Sequence, residues 1–354
     1  MPILRQDVST KEWVIIATER AQRPAQFVRP ESERRSEAET KFCPFCPGNE
    51  DKTPPEILAF RKDSPPNTEG WWVRVIPNKF AALAPQGSLH RRHDLDFFPA
   101  MDGIGVHEVI VESPAHDLPI ALMEEKQVTE ILFAHRERFR KLREDSAWKA
   151  IIIFENHGER AGTSLLHPHS QLVATPMVPR DIRLRFEVAQ EYYDDTGNCI
   201  YCVMLQKELE AKTRIVGESD HFAAFHPFAS RSPFETWILP RHHNSSFGSI
   251  EDDELRDFAT ILRAQLRKLH LALNDPDYNF IIHTAPLEDE DKDYYLWHVQ
   301  ILPRLTTIAG FELGSGIYIN NALPEATAAF IREARVDAKW LILKKEIGTS
   351  RVYL

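Results

Sequence analysis

All four cysteines of this 354-residue chain fall in two Cys-x-x-Cys pairs, Cys43 with Cys46 and Cys199 with Cys202. In a large protein such pairs read as metal ligands or redox dithiols more readily than as structural disulfides. Each pair also heads the same series of features, and that repetition constrains the fold. After Cys43-Pro44-Phe45-Cys46 comes a short β-like run, Val73 to Ile76, then a stronger one, Val106 to Glu112, ending in Ser113-Pro114-Ala115-His116. A helical stretch follows, with Val128, Ile131, Leu132, His135, Phe139 and Leu142 on one face. Next are an apolar strand, Ala150 to Phe154, and the segment His167-Pro168-His169-Ser170-Gln171.

The second half repeats this order. Cys199-Ile200-Tyr201-Cys202 leads to strands at Phe222 to Phe225 and Thr236 to Leu239, the latter ending in Pro240-Arg241-His242-His243. A helix follows, with Leu255, Phe258, Ile261, Leu262, Leu266 and Leu269 on its apolar face, then a strand, Tyr278 to Ile282, and Trp297-His298-Val299-Gln300. The chain therefore reads as α+β, in two halves bounded at 1–180 and 181–354. Arg29 to Thr40 is charged and aperiodic, as in a surface loop, and Asp63 to Gly70 is rich in turn formers. Trp340 to Leu343 is strand-like.

Charge and hydropathy narrow the function classes. A formal net charge of −10 argues against general nucleic-acid binding, which needs a basic footprint to displace counterions. Met1 to Thr10 lacks the apolar core of a secretory signal, and no apolar run is long enough to cross a bilayer. The expectation is a soluble cytoplasmic protein with no membrane partner.

Zinc favours four soft or borderline ligands in a tetrahedron, and histidines from distant strands can complete a Cys-x-x-Cys site. The first half offers His116 and His167. The second offers His298 and either His242 or His243. Two Cys₂His₂ zinc sites are expected, one per half, each structural because four protein ligands leave no open position. His90, His93, His107, His135, His157, His221, His226 and His270 are expected to be ordinary hydrogen-bonded histidines.

The reactive chemistry concentrates between Phe154 and Gln171. Two histidines lie two residues apart here, and the expectation is that His167 ligates a metal while His169 faces a cleft. A neutral imidazole is a competent nucleophile near pH 7, with an unperturbed pKa of about 6.5. Gln171 shares a face with His169, and its amide can donate to a phosphoryl oxygen as charge builds there. Gly158 and Gly162 let the backbone approach a phosphate, and Ser164 adds a donor.

Phe154, Glu155, Asn156, Gly162, Ser164, His167, Pro168, His169 and Gln171 together resemble the active-site signature of the galactose-1-phosphate uridylyltransferase family, in the histidine-triad superfamily. The resemblance extends over nearly the whole chain. Arg20-Ala21-Gln22-Arg23-Pro24 is similar to an early phosphate-contacting element, and Pro77 to Leu83, with Asn78, to a nucleoside-binding loop. Gly310-Phe311-Glu312 is similar to a segment whose glutamate contacts the hexose. The resemblance implies tandem histidine-triad-like units, each an antiparallel sheet with packed helices, in a homodimer. It implies that His169 attacks the α-phosphorus of a nucleotide sugar, that hexose-1-phosphate leaves, and that an acceptor then takes the nucleotidyl group. Gln171 would steady the phosphoryl oxygens, Arg20 and Arg23 would offset charge, and Asn156 and Gly162 would contact substrate. The superfamily pattern P-K-x-H favours His243, with Arg241 in the lysine position, while His283 resembles a metal histidine of other members and is expected to support rather than ligate. With His298 aligned to His167, Gln300 would take the nucleophile's place, leaving only the first half catalytic.

The leading expectation is exchange of UMP between UDP-glucose and galactose-1-phosphate. Lys79 after Asn78, Tyr318 in the late segment, Ser170 where many members have glycine, and the Cys199–Cys202 pair depart from that pattern. They resemble a subgroup that includes ADP-glucose phosphorylase, in which an adenylyl-histidine passes its nucleotide to inorganic phosphate. That activity is the alternative.

Overall fold

A computed structural model describes residues 1–18, 23–30 and 43–334. Arg20 and the strand-like run Trp340 to Leu343 lie outside the described residues, as does most of the charged segment before Cys43. The chain begins with a hairpin, β1 (Ile3–Gln6) and β2 (Trp13–Ile16). It continues through β3 (Leu58–Arg61), β4 (Trp71–Pro77), a small ribbon of β5 (Arg92–Asp94) and β6 (Phe98–Ala100), β7 (Val106–Val111), helix α1 (Glu125–Leu142), β8 (Ala150–His157) and β9 (His169–Thr175). Helices α2 (Arg180–Thr196) and α3 (Ile200–Ala211) lead into β10 (Ile215–Glu218), β11 (Phe222–Phe225), β12 (Thr236–Pro240), α4 (Asp252–Leu273), β13 (Tyr278–His283) and β14 (His298–Pro303). The described chain ends with α5 (Gly310–Ser315), β15 (Tyr318–Asn320) and α6 (Pro324–Glu333).

Ten of these strands form one sheet, in the order β10-β11-β12-β14-β13-β8-β9-β7-β4-β3. Read outward from the middle, the halves are mirror lists: β8-β9-β7-β4-β3 and β13-β14-β12-β11-β10. The repeat in the sequence is thus a repeat in space. Where two separate sheets were the simplest reading, β8 and β13 pair antiparallel, with Tyr278 opposite His157 and Ile282 opposite Ile153. Both strands are apolar over most of their length, so neither leaves an edge exposed to water. Near the termini, β15 lies parallel to β2, so the end of the described chain completes a three-stranded sheet begun by its start.

The two long helices follow equivalent strands and pack against each other. Each buries the stripe read from its spacing: Val128, Ile131, Leu132 and Phe139 on α1, and Leu255, Phe258, Ile261, Leu262, Leu266 and Leu269 on α4. Trp297 anchors this core, with the rings of Phe222, Phe247 and Phe258 at 5.8, 5.4 and 5.5 Å. Phe139 of the first half reaches the same cluster through Phe247, at 6.1 Å. The halves therefore share one core as well as one sheet. Helices α2 and α3 carry no comparably clean stripe, and their burial is against the second half. No described helix is long and apolar enough to cross a membrane.

Phe258 is fully buried at the centre of the aromatic cluster. Phe258→Ala is expected to cost about 3–5 kcal/mol of stability, measured by denaturant unfolding, because the surrounding rings cannot close the space it leaves.

Candidate active site and metal centres

His167 and His169 stand at the start of β9, on a chain whose register is set by β7, with Val111 opposite His169. The Nε2 of His167 lies 2.7 Å from the carbonyl oxygen of Ser113. A carbonyl only accepts, so Nε2 carries the proton and Nδ1 is left with its lone pair. That lone pair faces the thiols of Cys43 and Cys46, at 3.7 and 3.6 Å, while His116 Nδ1 lies 3.3 Å from Cys46 Sγ. A tetrahedron with bonds of about 2.0–2.3 Å to zinc has edges of about 3.3–3.8 Å. The four side chains fit that figure, and their ligand atoms all lie within 4.8 Å of one another. Without a cation the cluster is poorly balanced. Burial, then the neighbouring Cys43, pushes the Cys46 thiol up to about 12, and burial pushes His167 down to about 4. Cys43, Cys46, His116 and His167 would hold a divalent ion, which would supply the charge that makes two thiolates and two neutral imidazoles compatible.

His169 uses the opposite tautomer. Its Nδ1 donates to the carbonyl oxygen of His167, at 2.8 Å, so Nε2 holds the lone pair. Burial holds its pKa below the ordinary histidine value, which keeps the ring neutral. The ring of Phe45, between the two cysteines, packs edge-on at 5.2 Å. Metal cluster and candidate nucleophile are thus joined by one residue's backbone.

Gln171 lies two residues further along the same face, and its Oε1 is 2.8 Å from His107 Nε2. The backbone N–H of Ala82 donates to His107 Nδ1 at 3.2 Å, so Nε2 carries a ring proton and donates to Gln171 Oε1. Asn78 Nδ2 lies 3.1 Å from the same ring nitrogen, and Asn78 Oδ1 accepts from Phe80 N–H. His107 therefore connects the Asn78 loop to Gln171 and fixes the amide with its NH₂ unconsumed by this contact. Sequence reasoning grouped His107 with ordinary histidines. Its role arises from cross-strand register, with His107 opposite Val173, which spacing along the chain does not reveal.

Ser170 points to the other face of β9, as alternation requires. It is fully buried, with Oγ 2.6 Å from His135 Nε2 on α1. Beside it, Glu112 is buried at the end of β7, where loss of solvent pushes its carboxyl up to about 8 against the opposing pull of the Ser170 hydroxyl. The hydroxyl at position 170 thus serves the core behind the nucleophile and does not enter the cleft.

The remaining expected residues are placed as follows. Asn156 Oδ1 accepts from Asn279 Nδ2 at 2.7 Å, directly across the β8–β13 seam, and the same Asn279 amide donates to Ala161 O at 2.9 Å. Asn279 thereby holds the Gly158–Gly162 loop to the second half, with Asn156 Oδ1 sharing its amide. Gly158 and Gly162 both have φ of 90°, which a side chain would strain, and nothing stands within 4 Å of where a Cβ on Gly162 would project. Ser164 and Arg23 are exposed. Glu312 begins α5, where its Oε2 accepts from Ala309 N–H at 3.1 Å. It lines a cavity of about 210 Å³ with Arg231, Arg304 and Tyr318, and His169 is not among the lining residues.

In the second half, Cys199, Cys202 and His243 come together, with Cys202 Sγ 3.3 Å from His243 Nδ1. His242 lies instead with His221 and Glu254, so of the two neighbours it is His243 that stands beside the cysteines. His298 is not among the residues whose ligand atoms lie within 4.8 Å of one another there. Its Nδ1 is committed to the Leu296 carbonyl at 3.0 Å, its ring is sandwiched between Trp237 and His283, each at 4.9 Å, and its Nε2 is buried with no hydrogen-bond partner. The expectation that Gln300 takes the place of His169 rested on an alignment displaced by two residues. His298 opens β14 as His169 opens β9, and Gln300 Oε1 lies 3.0 Å from His283 Nε2 as Gln171 Oε1 lies 2.8 Å from His107 Nε2. The counterpart of the nucleophile is His298, not Gln300.

Glu112 gives a test with a defined sign. Its folded pKa of about 8 lies above its ordinary 4.5, so its contribution to stability is full below 4.5 and is lost as pH rises through 8. Glu112→Gln has no such loss. The stability of Glu112→Gln relative to the parent chain is expected to rise between pH 5 and pH 8, measured by denaturant unfolding across that range.

Comparison with known proteins agrees with this geometry. Residues 2–179 match the N-terminal domain family of galactose-1-phosphate uridyl transferase, and residues 185–334 match its C-terminal domain family. The ADP-glucose phosphorylase of Arabidopsis thaliana is 35% identical over 335 residues, covering 94% of this chain and 93% of that protein. The galactose-1-phosphate uridylyltransferase of Thermotoga maritima is 29% identical over 342 residues, covering 94% and 99%. Among solved structures, the Arabidopsis ADP-glucose phosphorylase with bound ADP-glucose matches with a TM-score of 0.80 at 33% identity, over 95% of this chain and all of that one. A uridylyltransferase structure matches with a TM-score of 0.73 at 28% identity, over 94% and 98%. With both halves matched and the relatives aligned nearly end to end, the chain belongs to the galactose-1-phosphate uridylyltransferase family of nucleotidyltransferases.

Proposed function

We propose that this chain transfers a nucleotidyl group from a nucleotide sugar through a covalent bond to His169 Nε2, with ADP-glucose as donor and inorganic phosphate as acceptor. The observation that carries the chemistry is the tautomer of His169: Nδ1–H is bonded to the His167 carbonyl, so Nε2 is free and unprotonated. In the first step Nε2 attacks the α-phosphorus. The bond to the bridging oxygen breaks and glucose-1-phosphate leaves with that electron pair. The imidazole gains positive charge as the N–P bond forms, and the His167 carbonyl stabilises it through the Nδ1 hydrogen bond. The Gln171 NH₂, aimed by His107, donates to a non-bridging oxygen. An oxygen of the acceptor phosphate then attacks the same phosphorus, the N–P bond breaks, and neutral His169 returns. Arg20, Arg23, Asn78, Gly162 and Ser164 are the proposed contacts to the nucleotide, and Glu312 the proposed contact to the hexose.

The donor assignment is supported by the greater similarity to the ADP-glucose phosphorylase over the full chain. Exchange of UMP between UDP-glucose and galactose-1-phosphate is the second reading, supported by the end-to-end match to the Thermotoga enzyme. The first-half cluster is proposed to hold Zn²⁺. Its four protein ligands give it a structural role, fixing the carbonyl that orients His169. The reading includes a cytoplasmic homodimer, in which a second copy would cover the exposed apolar side chains Phe80, Leu95 and Phe97.

The test is isotope exchange without acceptor. Labelled glucose-1-phosphate should enter ADP-glucose in the absence of phosphate, and Gln171→Ala should slow that exchange by about 10²–10³. Exchange confined to UDP-glucose would move the assignment to the second reading. No exchange with either nucleotide sugar, in a sample that turns over, would exclude the two-step route.

A further inference from the structure

We infer that the second half carries a further divalent-metal site, outside both cysteine clusters, formed by the imidazoles of His221 and His242 and the carboxylate of Glu254, with water completing the coordination. The inference does not depend on which nucleotide the chain uses. The three side chains come from three elements. His221 immediately precedes β11, His242 follows the end of β12, and Glu254 stands in the first turn of α4. One ligand atom from each lies within 4.8 Å of the other two. No local spacing joins them. They meet because β11 pairs with β12, Phe222 opposite Pro240, and because α4 begins beside that end of the pair.

The backbone at two of the three ligands is fixed without help from an ion. His221 N–H donates to Asp257 Oδ2 at 2.7 Å, and its carbonyl oxygen accepts from Arg241 N–H at 2.7 Å. Glu254 closes the capping box of α4, where Oε2 accepts from Glu251 N–H at 3.1 Å and leaves Oε1 outside the cap. The donor atoms themselves are uncommitted. Among the described residues neither imidazole has a hydrogen-bond partner, and His221 Nδ1 is buried without one. Arg241, the cation next along the chain, is directed to Glu218 and to the carbonyls of Ser219 and Phe222, so it does not neutralise Glu254. Asp253 adds further negative charge, with Oδ2 3.9 Å from His221 Nε2. Two imidazoles and a carboxylate are a donor set for a borderline divalent ion such as Zn²⁺. Zinc bonds of about 2.0–2.2 Å give a tetrahedron edges of about 3.3–3.6 Å. The exposed His242 can rotate to close the remaining distance. With three protein ligands the site keeps a solvent position, unlike the four-ligand cluster at Cys43. A bound ion would tie the start of α4 to the β11–β12 pair.

The test counts Zn²⁺ bound to the full chain by equilibrium dialysis. The parent chain should hold one ion per chain more than His221→Gln. Glu254→Gln should weaken that ion by about tenfold or more, since loss of even an outer contact to a metal changes affinity about 10–100-fold. Glutamine serves the capping box as glutamate does, so this variant removes the charged ligand while keeping the start of α4. Co²⁺ added to the zinc-loaded chain should bind without the thiolate-to-metal charge-transfer absorption of a cysteine site. Equal zinc stoichiometry and affinity in the parent chain and both variants would overturn the inference. So would Co²⁺ that does not bind, or that binds only with the thiolate absorption. The cobalt spectrum of the parent chain and the zinc affinity of Glu254→Gln decide the matter even where His221→Gln fails to fold.

Discussion

One hydrogen bond, from His169 Nδ1–H to the carbonyl oxygen of His167, organises the reactive half of this molecule. It selects the tautomer that leaves Nε2 unprotonated, and on the proposed route it places a fixed dipole where positive charge would develop. Its geometry depends on the peptide at His167 staying still. That peptide is held from three sides: by the metal-facing imidazole of His167, by the bond from His167 Nε2 to the Ser113 carbonyl, and by pairing of β9 with β7. The candidate metal cluster lies beside His169 without including it. On the proposed function its contribution is positional, two cysteines and two histidines fixing one carbonyl.

The same hydrogen bond occurs in the second half, yet in a different setting. His298 has the tautomer of His169 and the glutamine two residues on. Trp237 and His283 close over both faces of its ring, Tyr201 packs at 4.8 Å, and burial pushes its pKa down to about 3. A nucleophile needs room for an approaching phosphorus, and here the space is filled with aromatic rings. The two halves thus differ less in their reactive residue than in what surrounds it. The backbone frame repeats, and in the second half the side chains around it, Tyr201, Trp237 and Tyr295, pack as core.

Much of this was legible along the chain because it is written in local spacing. The stripes of α1 and α4 have helical period, the two Cys-x-x-Cys pairs mark the clusters, and the two-residue spacing of His169 and Gln171 places them on one face. What escaped was non-local. His107 reaches Gln171 across a strand pair, Glu112 and His135 meet Ser170 behind the sheet, and β8 joins β13 to merge two sheets into one. Such contacts depend on register, and a shift of two residues is invisible to a pattern that repeats every two. The placing of Gln300 opposite His169 was such a shift, since the residue that opens β14 with the same Nδ1 hydrogen bond is His298. Arg20 lies outside the described residues, so its role rests on resemblance alone.

The central claim is that nucleotidyl transfer passes through His169 Nε2, and intact-protein mass spectrometry tests it most directly. The metallated chain is mixed with ADP-glucose or UDP-glucose without acceptor, beside His169→Ala. The account predicts one nucleotidyl group added to the parent chain, discharged by phosphate or by galactose-1-phosphate, and absent from His169→Ala. An adduct that persists in His169→Ala, or full turnover with no adduct on the parent chain, would contradict it.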